Sequence, residues 1–357
     1  MNSAAHVSST SDHHDQPDQP DQPDHPGRPD LHDVIVVGGG AAGLSAALAL
    51  GRARRDTLVL DLGAPRNRFA AGMHTVLGHE GLAPAELLRR GRAEAAGYGV
   101  SFAAVGAAEV AEERDESLGT AAPPRLRVTD TAGVVRRARA VVVATGVTDR
   151  LPEIPGLAEH WGTAVLHCPY CHGWEVGDAR LGVLAAGPMS LHQAELIRQW
   201  SDRLTFFSAA AEPLEQRTRE RLAARDVIVE PAPVVEVVGD GERLHRVQLA
   251  DGRQVAVDAL FTAGELIPHD DFLDGLDLER ADTPAGRFLA VDQGGRTSHE
   301  RIFAAGNIAQ PMGTIPAAMS TGTLAGAMAS MTLVTEDFDL AERAGRDLGR
   351  QAGREPA

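Results

Sequence analysis

The chain has 357 residues, 43% of them hydrophobic, and a formal charge of −16. It is long enough to bury a large core and suggests two domains, while the acidic balance argues against a nucleic-acid partner, whose phosphates require a basic face. All 34 basic residues are arginine, which excludes a P-loop lysine, a Schiff-base lysine and a pyridoxal phosphate anchor.

The N-terminus is polar and acidic, without the basic and apolar regions of a secretory signal, and no run approaches 18 apolar residues, so no membrane span is expected. Two cysteines do not make an extracellular disulfide scaffold, and the cytoplasm is the expected compartment. Residues 11–30, SDHHDQPDQPDQPDHPGRPD, repeat Asp-Gln-Pro and predict a disordered, solvated tail over residues 1–32. Its His13, His14 and His25 could gather a metal ion, although the composition reads more simply as a tail.

From Asp33, DVIVVGGGAAGLSAALALGRARRDTLVLD reads as strand, glycine turn, small-residue helix and second strand. Gly38, Gly40 and Gly43 form G-x-G-x-x-G around Ala41 and Ala42, and Asp61 ends the second strand. That arrangement predicts a dinucleotide site: a tight turn, backbone approach to pyrophosphate, close helix–strand packing, and an acid for a ribose hydroxyl. Further strands are expected at Ala140–Ala144, closed by Thr145-Gly146, at Leu181–Ala185 and at Leu204–Phe207, with a helix near Leu191–Trp200. RIFAAGNIAQPMGTIPAAMSTGTLAGAMA reads as a strand, a turn at Gly306-Asn307 and a helix from about Pro316.

The predicted fold class is α/β, with two Rossmann-like, doubly wound, three-layer domains. The first is discontinuous, residues 33–150 and 265–335, with residues 151–264 inserted and residues 336–357 forming a polar C-terminal helical tail.

Both cysteines lie in HCPYCHGWE, residues 167–175. C-x-x-C-H is the attachment signature of c-type haem, C-x-x-C is a redox dithiol, and Cys with His suggests zinc. Haem attachment follows export, which the N-terminus does not support, and structural zinc normally takes four protein ligands, whereas here His167 and His172 merely flank two cysteines. A dithiol whose thiolate is the nucleophile fits a position between two dinucleotide-type units.

GGGAAG, the ATG at 144–146, C-x-x-C about 20 residues later and the C-terminal FAAGN, in this order, resemble the low-molecular-weight thioredoxin reductases over roughly residues 33–333. More narrowly, PRNRFA (65–70), MH (73–74), LGHEG (77–81) and CPYCHGWE are similar to the dithiol oxidases of that group, which close disulfides in natural products such as gliotoxin and holomycin. The resemblance implies a homodimer with FAD in the first domain, held by the glycine turn, Asp61, Asn67, Arg68, Ala144, Thr145, Gly146, Gly306, Asn307, Thr314 and Ile315. Asn307 stands where the group usually carries Asp; its amide can still bond a ribityl hydroxyl. The resemblance also implies that Cys171 lies against the flavin and that Cys168 is the exposed partner meeting substrate. His172 replaces the usual acid after the motif and can deprotonate a substrate thiol, with His167 a second candidate base.

The second βαβ unit departs from the group. In VLAAGPMSLHQAE, Ala185 holds the first glycine position, Ser190 the third, and Pro188 stands inside the turn. After LTFF comes Ser208-Ala209-Ala210-Ala211, where a 2′-phosphate needs cations, although Arg217, Arg219 and Arg221 could fold back. Two missing charge-assisted hydrogen bonds, about 1.5–3 kcal/mol each, weaken NADPH roughly 10²–10⁴-fold. The leading expectation is an FAD enzyme oxidising a small-molecule dithiol with O₂ and giving H₂O₂. The alternatives are a disulfide reductase driven by NAD(P)H or another donor, and a flavoprotein that sequesters thiols or senses redox state without turnover.

Overall fold

The computed structural model describes residues 31–113, 124–241 and 243–352. Most of the predicted N-terminal tail and residues 353–357 lie outside them. The first βαβ unit comprises β1 (Leu31–Val37), α1 (Ala41–Arg52) and β2 (Thr57–Leu60), with the strands parallel from Val34 opposite Thr57 to Val37 opposite Leu60. Then α2 (Pro84–Gly97) leads to β3 (Ser101–Ala103), and β4 (Ala107–Glu113), β5 (Arg125–Asp130) and β6 (Val135–Val143) form an antiparallel meander.

The run Val34–Val37 is uninterrupted because both faces of β1 are covered. Val34 and Val36 pack with α1 residues such as Ala46 and Leu50, whereas Ile35 and Val37 pack with Val110, Leu126 and Val128 of the meander.

The chain leaves this unit through β7 (Val147–Arg150). A second, all-parallel sheet follows, built from β8 (Val165–Leu166), then, after the single helical turn α3 (Pro169–His172), β9 (Leu181–Leu184), α4 (Ser190–Ile197), β10 (Leu204–Phe207), α5 (Gln216–Ala223) and β11 (Ile228–Glu230). An antiparallel trio, β12 (Val234–Asp240), β13 (Arg243–Leu249) and β14 (Gln254–Ala256), precedes β15 (Ala259–Phe261), and the sheet order is β11-β10-β9-β15-β8. Return is through β16 (Glu265–Pro268), which pairs antiparallel with β7, so outgoing and incoming chains run as one two-stranded ribbon. After the hairpin β17 (Arg280–Thr283) and β18 (Gly286–Leu289), β19 (Ile302–Ala304) joins the first sheet in parallel beside β6. The doubly wound α/β reading holds for both units.

The last helix, α6 (Ile315–Ala352), lies against α1 through small residues. A Cβ on Gly322 would stand 2.0 Å from the Ala42 carbonyl oxygen, and one on Gly326 2.6 Å from that of Ala46, so glycine sets the helix separation.

Two expectations are corrected. The first strand begins at Leu31, before Asp33, with buried His32 bonded to Asp56 at 2.9 Å. No separate polar tail starts at Glu336. That carboxylate is buried inside a continuous helix and meets Arg125, Arg139 and Arg301 at 3.2, 3.1 and 2.6 Å. By length and composition alone α6 would also pass as a membrane-crossing helix, with a mean hydropathy of 1.2, and part of its small-residue face packs on α1 as a core helix does.

Candidate active site

Three neighbouring parallel strands end at one level, since Val143 of β6 pairs with Val37 of β1 and with Ala304 of β19. Gly38, Ala144 and Ala305 follow these ends, at the edge where doubly wound sheets place ligands. Gly38 has φ 104°, and a Cβ there would lie 2.4 Å from the Ala144 oxygen, so the turn requires glycine. A Cβ on Gly43 would lie 1.8 Å from the Gly38 oxygen, whereas one on Gly40 would meet nothing within 4 Å. At that open position α1 starts without a side-chain cap, so the N–H groups of its first turn, from Ala41 to Gly43, are available to an anion. Asp61 accepts from the Gly39 N–H at 3.0 Å through Oδ1, which leaves Oδ2 for a ribose hydroxyl. This cradle, open where only hydrogen stands, fits the pyrophosphate and ribose of FAD.

The remaining expected cofactor residues fall into two groups. Thr145 and Gly146 border the cradle and are tied to His269 beyond β16, Thr145 Oγ1 donating to its carbonyl at 2.6 Å and the Gly146 carbonyl accepting from its N–H at 3.2 Å. Gly306 lies over Ala42, and Thr314 and Ile315 stand at the start of α6. Arg68 is engaged elsewhere: on the exposed turn that includes Asn67 it donates to the Pro65 carbonyl and stacks 4.2 Å over Phe69.

Asn307 also departs from expectation. Its Nδ2 donates to the carbonyls of Gln310, Pro311 and Gly313 at 3.1, 3.1 and 2.9 Å, so only the amide oxygen is left for a flavin hydroxyl. This explains the amide in place of a carboxylate: three carbonyl oxygens converge on the side chain and require a donor.

The dithiol lies on α3, just after β8. Cys168, with φ −101° and ψ 115°, caps the turn, Pro169 opens it, and the Cys171 N–H reaches back to the Cys168 carbonyl at 3.2 Å. Gln193 of α4 donates to the His167 carbonyl at 2.8 Å, and Tyr170 packs edge-on against Trp200. The sulfurs are 2.6 Å apart, Cys171 donating to Cys168. That hydrogen bond, with backbone N–H groups and nearby Arg66, brings the Cys168 thiol down to about 7, while the same bond and burial push Cys171 up. Both sulfurs are half-buried, so Cys168 differs from Cys171 in proton affinity and not, as expected, in exposure.

Burial lowers the proton affinity of His172 and of His167, so both are neutral near pH 7. His167 is the deeper of the two and its Nδ1 has no partner.

Two neighbours escaped the sequence reading because they lie about 100 residues upstream, inside segments quoted only for their resemblance. Arg66 forms a two-pronged ion pair with buried Asp149 of β7, both contacts 2.6 Å, and brings positive charge to the thiols. His74 turns its ring edge-on to His172, with centroids 6.5 Å apart.

At the second dinucleotide position the turn after β9 is closed on itself. The Ala186 and Gly187 N–H groups both donate to Ser190 Oγ, at 2.9 and 3.1 Å, occupying donors a pyrophosphate would need. Beyond β10, Ser208 donates to Glu212, which pairs with Arg219, and Arg221 forks onto Glu195 of α4. Two of the three arginines that could have folded back are thus already held by carboxylates.

Comparison with known proteins adds a lineage. The pyridine nucleotide-disulphide oxidoreductase profile matches residues 32–322. A thioredoxin reductase, tcpT, of Claviceps purpurea is 31% identical over 312 residues, 85% of this chain and 95% of the relative. The thioredoxin reductase sirT of Leptosphaeria maculans is 32% identical, covering 83% and 92%. Among solved structures, HlmI superposes with a TM-score of 0.83 at 40% identity over 89% of this chain and 97% of its own. An oxidoreductase from Agrobacterium tumefaciens gives 0.78 at 37%, covering 85% and 99%.

Two predictions follow from these contacts. In the reduced protein, alkylation by iodoacetamide will occur first at Cys168, and its rate will fall as pH drops through about 7, because the thiolate is the reacting form; peptide mapping that finds Cys171 modified first refutes the assignment. Asn307→Asp will set a carboxylate against three carbonyls and lower unfolding free energy by about 1–3 kcal/mol, so a denaturation midpoint equal to wild type contradicts the donor role.

Proposed function

The chain belongs to the pyridine nucleotide-disulphide oxidoreductase family, and from that premise we propose that it is an FAD-dependent dithiol oxidase, closing an intramolecular disulfide in a small natural-product-like molecule in the cytoplasm. The observation that carries this reading is the self-closed turn at 186–190 next to an asymmetric dithiol. Electrons have a built entry through sulfur, while a pyridine nucleotide would have to break two hydrogen bonds within the protein to be seated. The resemblance of CPYCHGWE and the segments at 65–81 to the dithiol oxidases supports the oxidase branch. Exposed Tyr170, between the cysteines, and exposed Trp174 beyond them offer aromatic surface to an apolar small molecule.

FAD, held by the glycine turn from Gly38 to Gly43 and by Asp61, would supply the acceptor for the electron pair of the reduced dithiol and its route to O₂, giving H₂O₂. Everything before that is the work of side chains. Neutral His172 takes the proton of the first substrate thiol, and the resulting thiolate attacks Cys168 of the oxidised pair, breaking the Cys168–Cys171 bond. The second substrate sulfur, once deprotonated, attacks the first and expels Cys168, whose low proton affinity makes it the better leaving group. The substrate loses two protons and two electrons and gains an S–S bond; the enzyme disulfide gains the two electrons. Arg66 steadies the negative charge developing on sulfur.

In air, purified protein given dithiothreitol will produce peroxide, and Cys168→Ser will lose all turnover. Absence of peroxide together with bleaching of the flavin by NADPH within seconds would establish the reductase alternative instead.

The working unit is a homodimer. Leu324, Met331 and Phe338 stand exposed on α6 at intervals of seven residues, with exposed Val334 between them, an apolar stripe of the spacing that pairs helices. Phe338→Asp will shift the protein to monomer in sedimentation at micromolar concentration; a variant that sediments as wild type removes α6 from the interface.

A further inference from the structure

The oxidase reading leaves one proton unaccounted for. When a dithiol reduces the Cys168–Cys171 pair, two protons leave substrate sulfur; Cys171 keeps one and Cys168, brought down to about 7, is part thiolate at neutral pH, so a share of the other must leave the site. His172 receives it, yet His172 is half-buried and must be emptied before it can act again.

We propose that His74, braced by Glu80 and Glu175, is the relay that carries protons between His172 and solvent. The inference rests on the oxidase reading and on four groups from two segments. His74 Nδ1 meets Glu80 Oε1 at 2.6 Å, its Nε2 lies 3.3 Å from Glu175 Oε1, and its ring faces that of His172 at 81° with centroids 6.5 Å apart. Both His74 nitrogens lie on carboxylates, so the link to His172 runs through Glu175, which meets His74 and acts on the charge of His172. Glu80 also accepts from the Thr75 N–H at 3.0 Å, which fixes the carboxylate and with it the His74 ring.

Exposure rises along the path: the His74 side chain is 22% accessible, Glu175 43% and Glu80 66%. Burial pushes the proton affinity of His172 down, while its neighbour Glu175 opposes that shift, so a proton accepted by His172 is readily handed on. Glu80 is held below the usual carboxylate range by its hydrogen bond to His74, so it stays an acceptor at neutral pH. The segment carrying His74 and Glu80 belongs to the first unit and the one carrying His172 and Glu175 to the inserted unit, so the path exists only while the two are docked. It is reversible and can return protons when peroxide forms.

The test is a single reduction of the oxidised holoenzyme by dithiothreitol under anaerobic conditions in about 1 mM buffer, quenched by alkylation and read as free Cys168 and Cys171 by mass spectrometry. His74→Gln will slow the reduction by roughly 10–100-fold, and added imidazole will restore it, while the wild type ignores imidazole. Glu80→Gln will give a smaller loss in the same direction. A His74→Gln protein as fast as wild type, or one slowed but indifferent to imidazole, overturns the relay, the second outcome marking a merely structural residue. The failure of the oxidase reading looks different: the disulfide is reduced normally with imidazole-sensitive His74→Gln behaviour, but no peroxide appears in air.

Discussion

A hydrogen bond from the Cys171 thiol to the Cys168 sulfur is the contact on which the site around α3 turns. It brings the Cys168 thiol down to about 7 and pushes Cys171 up, so two chemically equal thiols differ in proton affinity, and the groups around α3 hold that asymmetry. The backbone of one helical turn fixes the separation, Gln193 anchors the chain before it, and Trp200 fixes it from the side. Arg66 adds positive charge from another part of the chain. Its pairing with Asp149 matters twice, because that aspartate lies on the ribbon through which the chain crosses between units. Removing the arginine would leave a buried carboxylate without its partner, a loss of about 3 kcal/mol, so electrostatic tuning and domain placement are coupled in one ion pair.

The second Rossmann-like unit shows how a dinucleotide-type turn can satisfy its own donors while the fold persists. Parallel strands covered by helices form the core, and that core does not depend on whether the turn after β9 binds anything. Once Ser190 satisfies the turn's N–H groups from within, the site carries no unpaired donors and costs no stability. A ligand must then replace bonds already made. The unit still supports α4 and hence the dithiol.

Asn307 applies the same logic in the first unit. The amide is there because the loop from Gln310 to Gly313 turns three carbonyls toward it, and an acceptor at that position is incompatible with the loop. Only the amide oxygen is left for another partner.

Much was legible in the sequence: the glycine turn with its strand and helix, the interrupted order of the two units, the dithiol, and the degeneracy of the second turn. These are local patterns, set by φ requirements, hydrophobic period and residue spacing. The boundaries at Leu31 and Glu336 were misread because burial of His32 and Glu336 comes from partners far along the chain, Asp56 for one and Arg125, Arg139 and Arg301 for the other. Arg66, His74 and Glu80 lie in segments that carried a resemblance but no role for any one residue. Their meaning arises where a loop of the first unit meets a turn nearly 100 residues later, and the order of residues along a chain carries no distance across such a gap. The sequence by itself determined which chemistry is present, because thiols, imidazoles and glycine turns are local. Only the tertiary structure decided which thiol is the more acidic and which charged groups surround it, because both depend on electrostatic contacts between groups brought together by folding.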